Sequence, residues 1–113
     1  MRESPIFARC YALVKWLIPL TIKFPRHQRF VMAGAIQQSA LNLQERLIEA
    51  VRLRDAAARL QAADVELDKL RFYLRLSFEL GCISLGQQRH GGQMIAEIGR
   101  LLGSWQKQRR SRT

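Results

Sequence analysis

The sequence predicts an all-α fold, an up-down four-helix bundle, and three observations carry that expectation. Apolar residues recur at spacings of three and four over long segments, as one face of an α-helix requires. No segment shows the strand-like alternation of apolar and polar residues. Proline and glycine, which punctuate a chain, number only 3 and 7 among 113 residues. That length suits one domain with a modest core. Residues 1–113 are therefore read as a single bundle with a short basic tail over about residues 106–113.

The first helix starts well, with Ser4 at the N-cap and Pro5 at the first helical position. Ile6, Phe7, Cys10, Leu13, Val14 and Leu17 then share a face within about 120°. Pro19 is expected to kink or end this helix, because it removes a backbone donor and clashes with the preceding turn. Phe24-Pro25-Arg26-His27 reads as the turn into the second helix, with Phe24 and Phe30 as packing anchors. Lys23, Arg26 and Arg29 cluster there, as a phosphate clamp or as solvated turn charges.

A second helix over about residues 28–52 has a broad apolar arc of Phe30, Ala33, Ile36, Ala40, Leu41, Leu43, Leu47, Ile48 and Val51. Gln37 and Gln44 fall inside it and need hydrogen-bond partners if buried. No glycine or proline separates this helix from the third, so one continuous rod is an alternative. The third helix's main seam is rotated by roughly 150° from that arc, which favours a break. Leu53-Arg54-Asp55 is the best place for it, with Asp55 as N-cap.

The third helix is the most regular stretch. Leu60, Ala63, Leu67, Leu70, Leu74 and Phe78 form a bundle seam. A second apolar stripe of Val65, Phe72, Leu76 and Ile83 lies almost opposite. A helix apolar on two sides needs two partners, and one can be another subunit, so Val65, Phe72 and Leu76 are candidate oligomer contacts. Gly81, Gly86 and Gly91-Gly92 mark the connection to the last helix. That helix packs Met94, Ile95, Ile98, Leu101, Leu102 and Trp105 on one side. Ala96, Gly99 and Gly103 make a small-residue stripe on the other, for tight packing within the subunit or contact with a second one. Beyond Trp105 the chain is expected to fray into its basic tail.

The formal net charge is +10, unevenly spread. Residues 1–30 carry six basic and one acidic side chain, residues 31–80 seven of each, and residues 81–113 six basic and one acidic. First and last helices of an up-down bundle are neighbours, so the two basic ends are expected to merge into one electropositive surface. Such a surface suits a polyanion, with solubilising charge as the plainer reading. Arg9 and Lys15 interrupt the longest apolar runs too soon for a membrane span of about 20 residues, and they also argue against a signal peptide. The lone Cys10 and Cys82 make no disulfide framework or metal pair, which points to a cytoplasmic protein. His27 and His90 have no ligand spacing around them, and no glycine-rich phosphate loop follows a strand. Asp64, Asp68 and Glu79 alternate with Arg71 and Arg75 in a pattern that suits ion pairs better than acid–base chemistry. A binding module without cofactor or metal is expected, rather than an enzyme.

One resemblance sharpens this. Ala62-Ala63-Asp64, Leu70-Arg71-Phe72-Tyr73-Leu74-Arg75 and Ile95-Ala96-Glu97-Ile98-Gly99-Arg100-Leu101-Leu102-Gly103-Ser104-Trp105 resemble the accessory variability determinant (Avd) family of diversity-generating retroelements. Those proteins are relatives of the four-helix proteins encoded in ribosomal-RNA intervening sequences. The match is close over residues 62–105; before that, mainly the Phe24-Pro25-Arg26 turn and the helix lengths correspond. The resemblance implies a homopentameric barrel of bundles that associates with a reverse transcriptase and its template RNA to support mutagenic copying. Arg71, Arg75 and Arg100 match the family's basic positions, while Lys23, Arg26, Arg29, Lys107, Arg109 and Arg110 come from charge alone. RNA and DNA are expected to bind with little sequence preference, since Trp16 and Trp105 read as packing residues and no aromatic platform is evident. The alternative is a structural helical oligomer whose basic surface binds another protein or an anionic membrane.

Overall fold

Four helices follow one another in the computed structural model, which describes residues 4–112: α1 (Pro5–Ile22), α2 (residues 26–52), α3 (Ala56–Glu79) and α4 (Leu85–Arg112). No strand occurs among the described residues. Consecutive helices pack on one another and α4 closes back on α1. The Phe7 ring meets Trp105 at 6.3 Å between centroids, and Trp16 meets His90 at 5.1 Å, so α1 and α4 run antiparallel. The bundle is elongated, 48 × 22 × 21 Å.

Each end has a local cause. Pro5 opens α1 and Ser4 is its N-cap, although the Ser4 hydroxyl makes no capping bond. Pro19 does not end α1, which continues to Ile22. Pro19 falls in the last turn of α1, and that turn is held by Thr21, whose Oγ1 donates to the Ile18 carbonyl at 2.8 Å and accepts from Gln37 Nε2 at 2.9 Å. Leu53 takes an extended conformation after Arg52, so α2 and α3 are separate helices, broken where Leu53-Arg54-Asp55 suggests. Asp55 sits at the N-cap of α3 but spends its carboxylate on Arg59, at 3.0 Å.

The α3–α4 link is much shorter than four glycines suggest. Gly81 alone turns the chain, at φ 80°, where a side chain would be strained. Its N–H reaches the Phe78 carbonyl at 3.0 Å and the Cys82 N–H reaches Ser77 at 2.8 Å, a Schellman ending. Ser84 then restarts the helix. Its Oγ accepts from the Gln87 N–H at 3.0 Å while Gln87 Oε1 accepts from the Ser84 N–H at 2.8 Å, a reciprocal capping box. Gly86, Gly91 and Gly92 are therefore helical, not connecting. At the other end α4 continues through Arg112, so residues 106–112 extend the helix instead of fraying. Thr113 lies outside the described residues.

The core is a stack of aliphatic layers. Cys10, Leu13 and Leu17 meet Ile36, Ala40, Leu43 and Leu47, then Leu60, Leu67 and Leu70, and finally Ile95, Ile98 and Leu102, all buried. The third-helix seam is as the spacing indicates, with Phe78 packed at its edge. On α2 the buried strip is narrower than the apolar arc. It centres on Ile36, Ala40, Leu43 and Leu47, so Leu41 and Ile48 at the arc's far edge face outward. Among the described residues one charged group enters the core: Glu66, whose Oε1 accepts from Ser39 Oγ at 2.7 Å. α1 is apolar enough, by length and composition, to cross a membrane (mean hydropathy 1.3), yet Ile6, Cys10, Leu13 and Leu17 pack into the core.

Burial pushes the Cys10 thiol up to about 12, whereas Cys82 is partly exposed, with its thiol also raised by burial. Thiol titration at pH 8 is expected to find one reactive cysteine per folded chain and two in denaturant. Two reactive thiols in the folded protein would contradict the buried position of Cys10.

Candidate functional site

The nine candidate basic residues fall in three places. Lys23, Arg26 and Arg29 surround the α1–α2 junction, at one pole. Lys107, Arg109 and Arg110 occupy the last turns of α4, beyond Trp105 and beside the start of α1. Arg71, Arg75 and Arg100 lie between, on α3 and α4. The first and last helices are neighbours as expected, but the Lys23, Arg26 and Arg29 cluster and the Lys107, Arg109 and Arg110 cluster do not share one patch. Antiparallel packing sends the cations at the end of α1 and those at the end of α4 to opposite poles of a molecule 48 Å long.

The middle set is charge-compensated locally. Arg71 pairs with Asp68 at 2.7 Å, Arg75 with Glu79 at 3.2 Å and Arg100 with Glu97 at 2.6 Å, all one helical turn away. The hydrogen bond from Arg100, with the charges of Arg100 and Arg9, holds the Glu97 carboxyl below the usual range. Arg9 reaches Glu97 from α1 at 3.8 Å, so this carboxylate ties α1 to α4. Exposed pairs of this kind are weak, so an incoming phosphate can compete for the arginines. Arg71 has a fixed seat. A β-carbon built on Gly99 would come within 3.1 Å of Arg71 Nη2, so the guanidinium lies across bare backbone. The small-residue stripe thus divides: Gly99 serves a contact within the subunit, while a β-carbon at Gly103 would meet no other part of the subunit within 4 Å.

The poles are different. Among the described residues no carboxylate pairs with Lys23, Arg26 or Arg29 at one end, or with Lys107 and Arg109 at the other. Arg29 is partly committed, since its Nη1 donates to the Ile22 carbonyl at 3.1 Å and closes the end of α1. At the C-terminal pole Arg109 and Arg110 line a groove of about 450 Å³ with Gln61, Asp64 and Gln106. Two cations missing from the candidate set belong there by topology. Arg52 and Arg54 flank the α2–α3 turn, just before the helix start that forms this groove. Counting which turns share an end of the bundle would have found them.

Phe30 is the largest departure from expectation. Instead of anchoring the turn it is 92 % exposed, with Val31 also outward, while Phe24 is buried as anticipated. The cause is a π-helical turn over Arg29–Ala33, which buries Met32 and Ala33 and re-phases the residues before them. Trp16 and Trp105 do pack, against His90 and Phe7. Of the candidate oligomer contacts, Val65 and Phe72 are exposed on α3 and Leu76 is half-buried. Gln44 is half-buried beside Phe7, Ile48 and Val51, and its buried Oε1 has no hydrogen-bond partner within the subunit. No group of three metal-ligating side chains occurs among the described residues.

A family model described as bAvd-like matches residues 6–109. No curated protein matches the chain.

Proposed function

The chain belongs to the bAvd-like family, a family of accessory, non-catalytic proteins of diversity-generating retroelements, and from that membership we propose its specific role. It holds a reverse transcriptase and template RNA or cDNA together through basic surfaces and so supports mutagenic reverse transcription in the cytoplasm. The family match over residues 6–109 carries this reading. The uncompensated cations at both poles supply the physical means, since a polyanion gains by releasing counterions to them. Arg71, Arg75 and Arg100 can serve either partner once their neighbouring carboxylates are displaced.

The working form in this reading is a homopentamer. Val65 and Phe72 supply apolar surface that a lone bundle leaves in water. A closed ring repeats every arginine around one axis, so modest contacts to a folded RNA combine into high effective affinity.

Co-expression with the retroelement's reverse transcriptase, followed by pull-down with and without nuclease, tests the partnership. A complex surviving nuclease means direct protein contact, and one lost with nuclease means an RNA tether. Absence of the polymerase from both would end the proposal. Binding to RNA is expected to weaken steeply with salt. Replacing Arg109 and Arg110 with glutamine should reduce the slope of log K against log salt by about 1.5 and weaken all sequences alike. Anisotropy titrations unchanged between low and moderate salt would remove the electrostatic mechanism.

A further inference from the structure

We propose that Phe30, with Lys23 and Arg26, forms a base-stacking subsite for single-stranded nucleic acid at the α1–α2 pole. This rests on the nucleic-acid-binding role proposed above and adds a location and a mode. An aromatic ring 92 % exposed is unusual, because its apolar faces are left to water. The ring is not on a loose loop. It projects from the π-helical turn Arg29–Ala33, a geometry concentrated at functional sites. The scaffold beneath is pinned by buried Phe24, Met32 and Ala33 and by the Arg29 bond to the Ile22 carbonyl.

Charge selects the occupant. Arg26 precedes Phe30 by four residues and so lies on the same side of the helix, one turn away. Lys23 and Arg26 are exposed and have no carboxylate partner among the described residues, so both are open to the phosphates of a strand whose base stacks on the ring. Every base has a π-face, so one ring gives affinity with little sequence preference. A paired duplex keeps its bases stacked on each other and offers the ring nothing. The subsite therefore separates single strands from duplexes, which phosphate contacts alone do poorly.

The test uses the full chain and fluorescein-labelled single-stranded and duplex RNA 20-mers. Phe30→Ala is expected to weaken the single strand about tenfold and to leave the duplex unchanged. Phe30→Tyr should restore binding, whereas Phe30→Leu, apolar but without a ring, should not. A 2-aminopurine in the single strand should show stacking with the parent protein and lose it with Phe30→Ala. Circular dichroism checks that the variants fold, which an exposed position permits. Equal losses on both RNAs, no loss on the single strand, or rescue by leucine would each overturn the subsite. A changed mass in light scattering would make Phe30 a subunit contact. Phe30-dependent binding to phosphatidylserine vesicles without such an effect on RNA would make it a membrane contact. Either result overturns the proposal. If the parent binds no RNA, the broader nucleic-acid role falls with it; if only the Phe30 effects are absent, the subsite alone falls.

Discussion

Replacing Phe72 with glutamate is expected to reduce the proposed oligomer to a 13.1 kDa subunit that keeps its helical content. Phe72 is 61 % exposed on α3, outside the seam of Leu60, Leu67, Leu70 and Leu74. Within the subunit its ring meets that of its neighbour Tyr73 edge-on, with centroids 5.5 Å apart. Substitutions at such positions change subunit stability by about 0.5 kcal/mol or less. Across a subunit contact the sum is different. Burying a phenylalanine contributes about 1.5–3 kcal/mol, and a carboxylate in its place must be desolvated without a partner. A loss of about 4 kcal/mol per contact weakens association roughly a thousandfold. Light scattering coupled to size exclusion reads the mass directly. A parent mass near 13.1 kDa at all concentrations would show that no such contact exists. An unchanged oligomer in the variant would move the contact away from Phe72, with the outward Leu41 and Ile48 of α2 the next surface to examine.

The difference between legible and illegible parts of this chain has a physical origin. The α3 seam could be read because Leu60, Ala63, Leu67, Leu70 and Leu74 repeat without competition, and all five are buried. On α2 the true seam and an outward stripe lie side by side, so a wheel shows one broad arc. Nothing in that arc says that Ile36 is inside and Ile48 outside. The exposure of Phe30 depends on a π-turn, which inserts a change of phase that no constant period can show. The two terminal basic clusters lie apart for a topological reason. Charges were grouped along the chain, but antiparallel helices join the end of α1 to the start of α4. The break at Leu53 and the family motif were local, and local signals survived. The Ser84–Gln87 capping box was equally local, a visible start signal overshadowed by the glycines that follow it.

Those glycines give the sharpest stability contrast in the chain. Gly91→Val is expected to lower stability by about 3 kcal/mol, while Gly92→Ala, one residue on, raises it by up to about 1 kcal/mol. Both residues are helical, so replacing either removes glycine's backbone entropy cost and favours α4. What differs is the space outside. A β-carbon at Gly91 would stand 2.7 Å from Leu74 Cδ1 and 3.0 and 3.2 Å from the Trp16 ring, whereas one at Gly92 meets nothing within 4 Å. Leu74 is buried among core neighbours and Trp16 is braced by His90, so neither can step aside without disturbing packing. Valine adds two methyl groups to that collision and a rotamer restriction in the helix. Thermal melts should therefore move in opposite directions, by roughly 10 °C down and a few degrees up. Gly91→Ala falls between them, because one methyl sets the same clash against the helix-propensity gain. A rise in melting temperature for both Gly91→Val and Gly92→Ala would mean that α1, α3 and α4 do not converge on Gly91. That result would undo the α1–α4 pairing from which the two separate basic poles were derived.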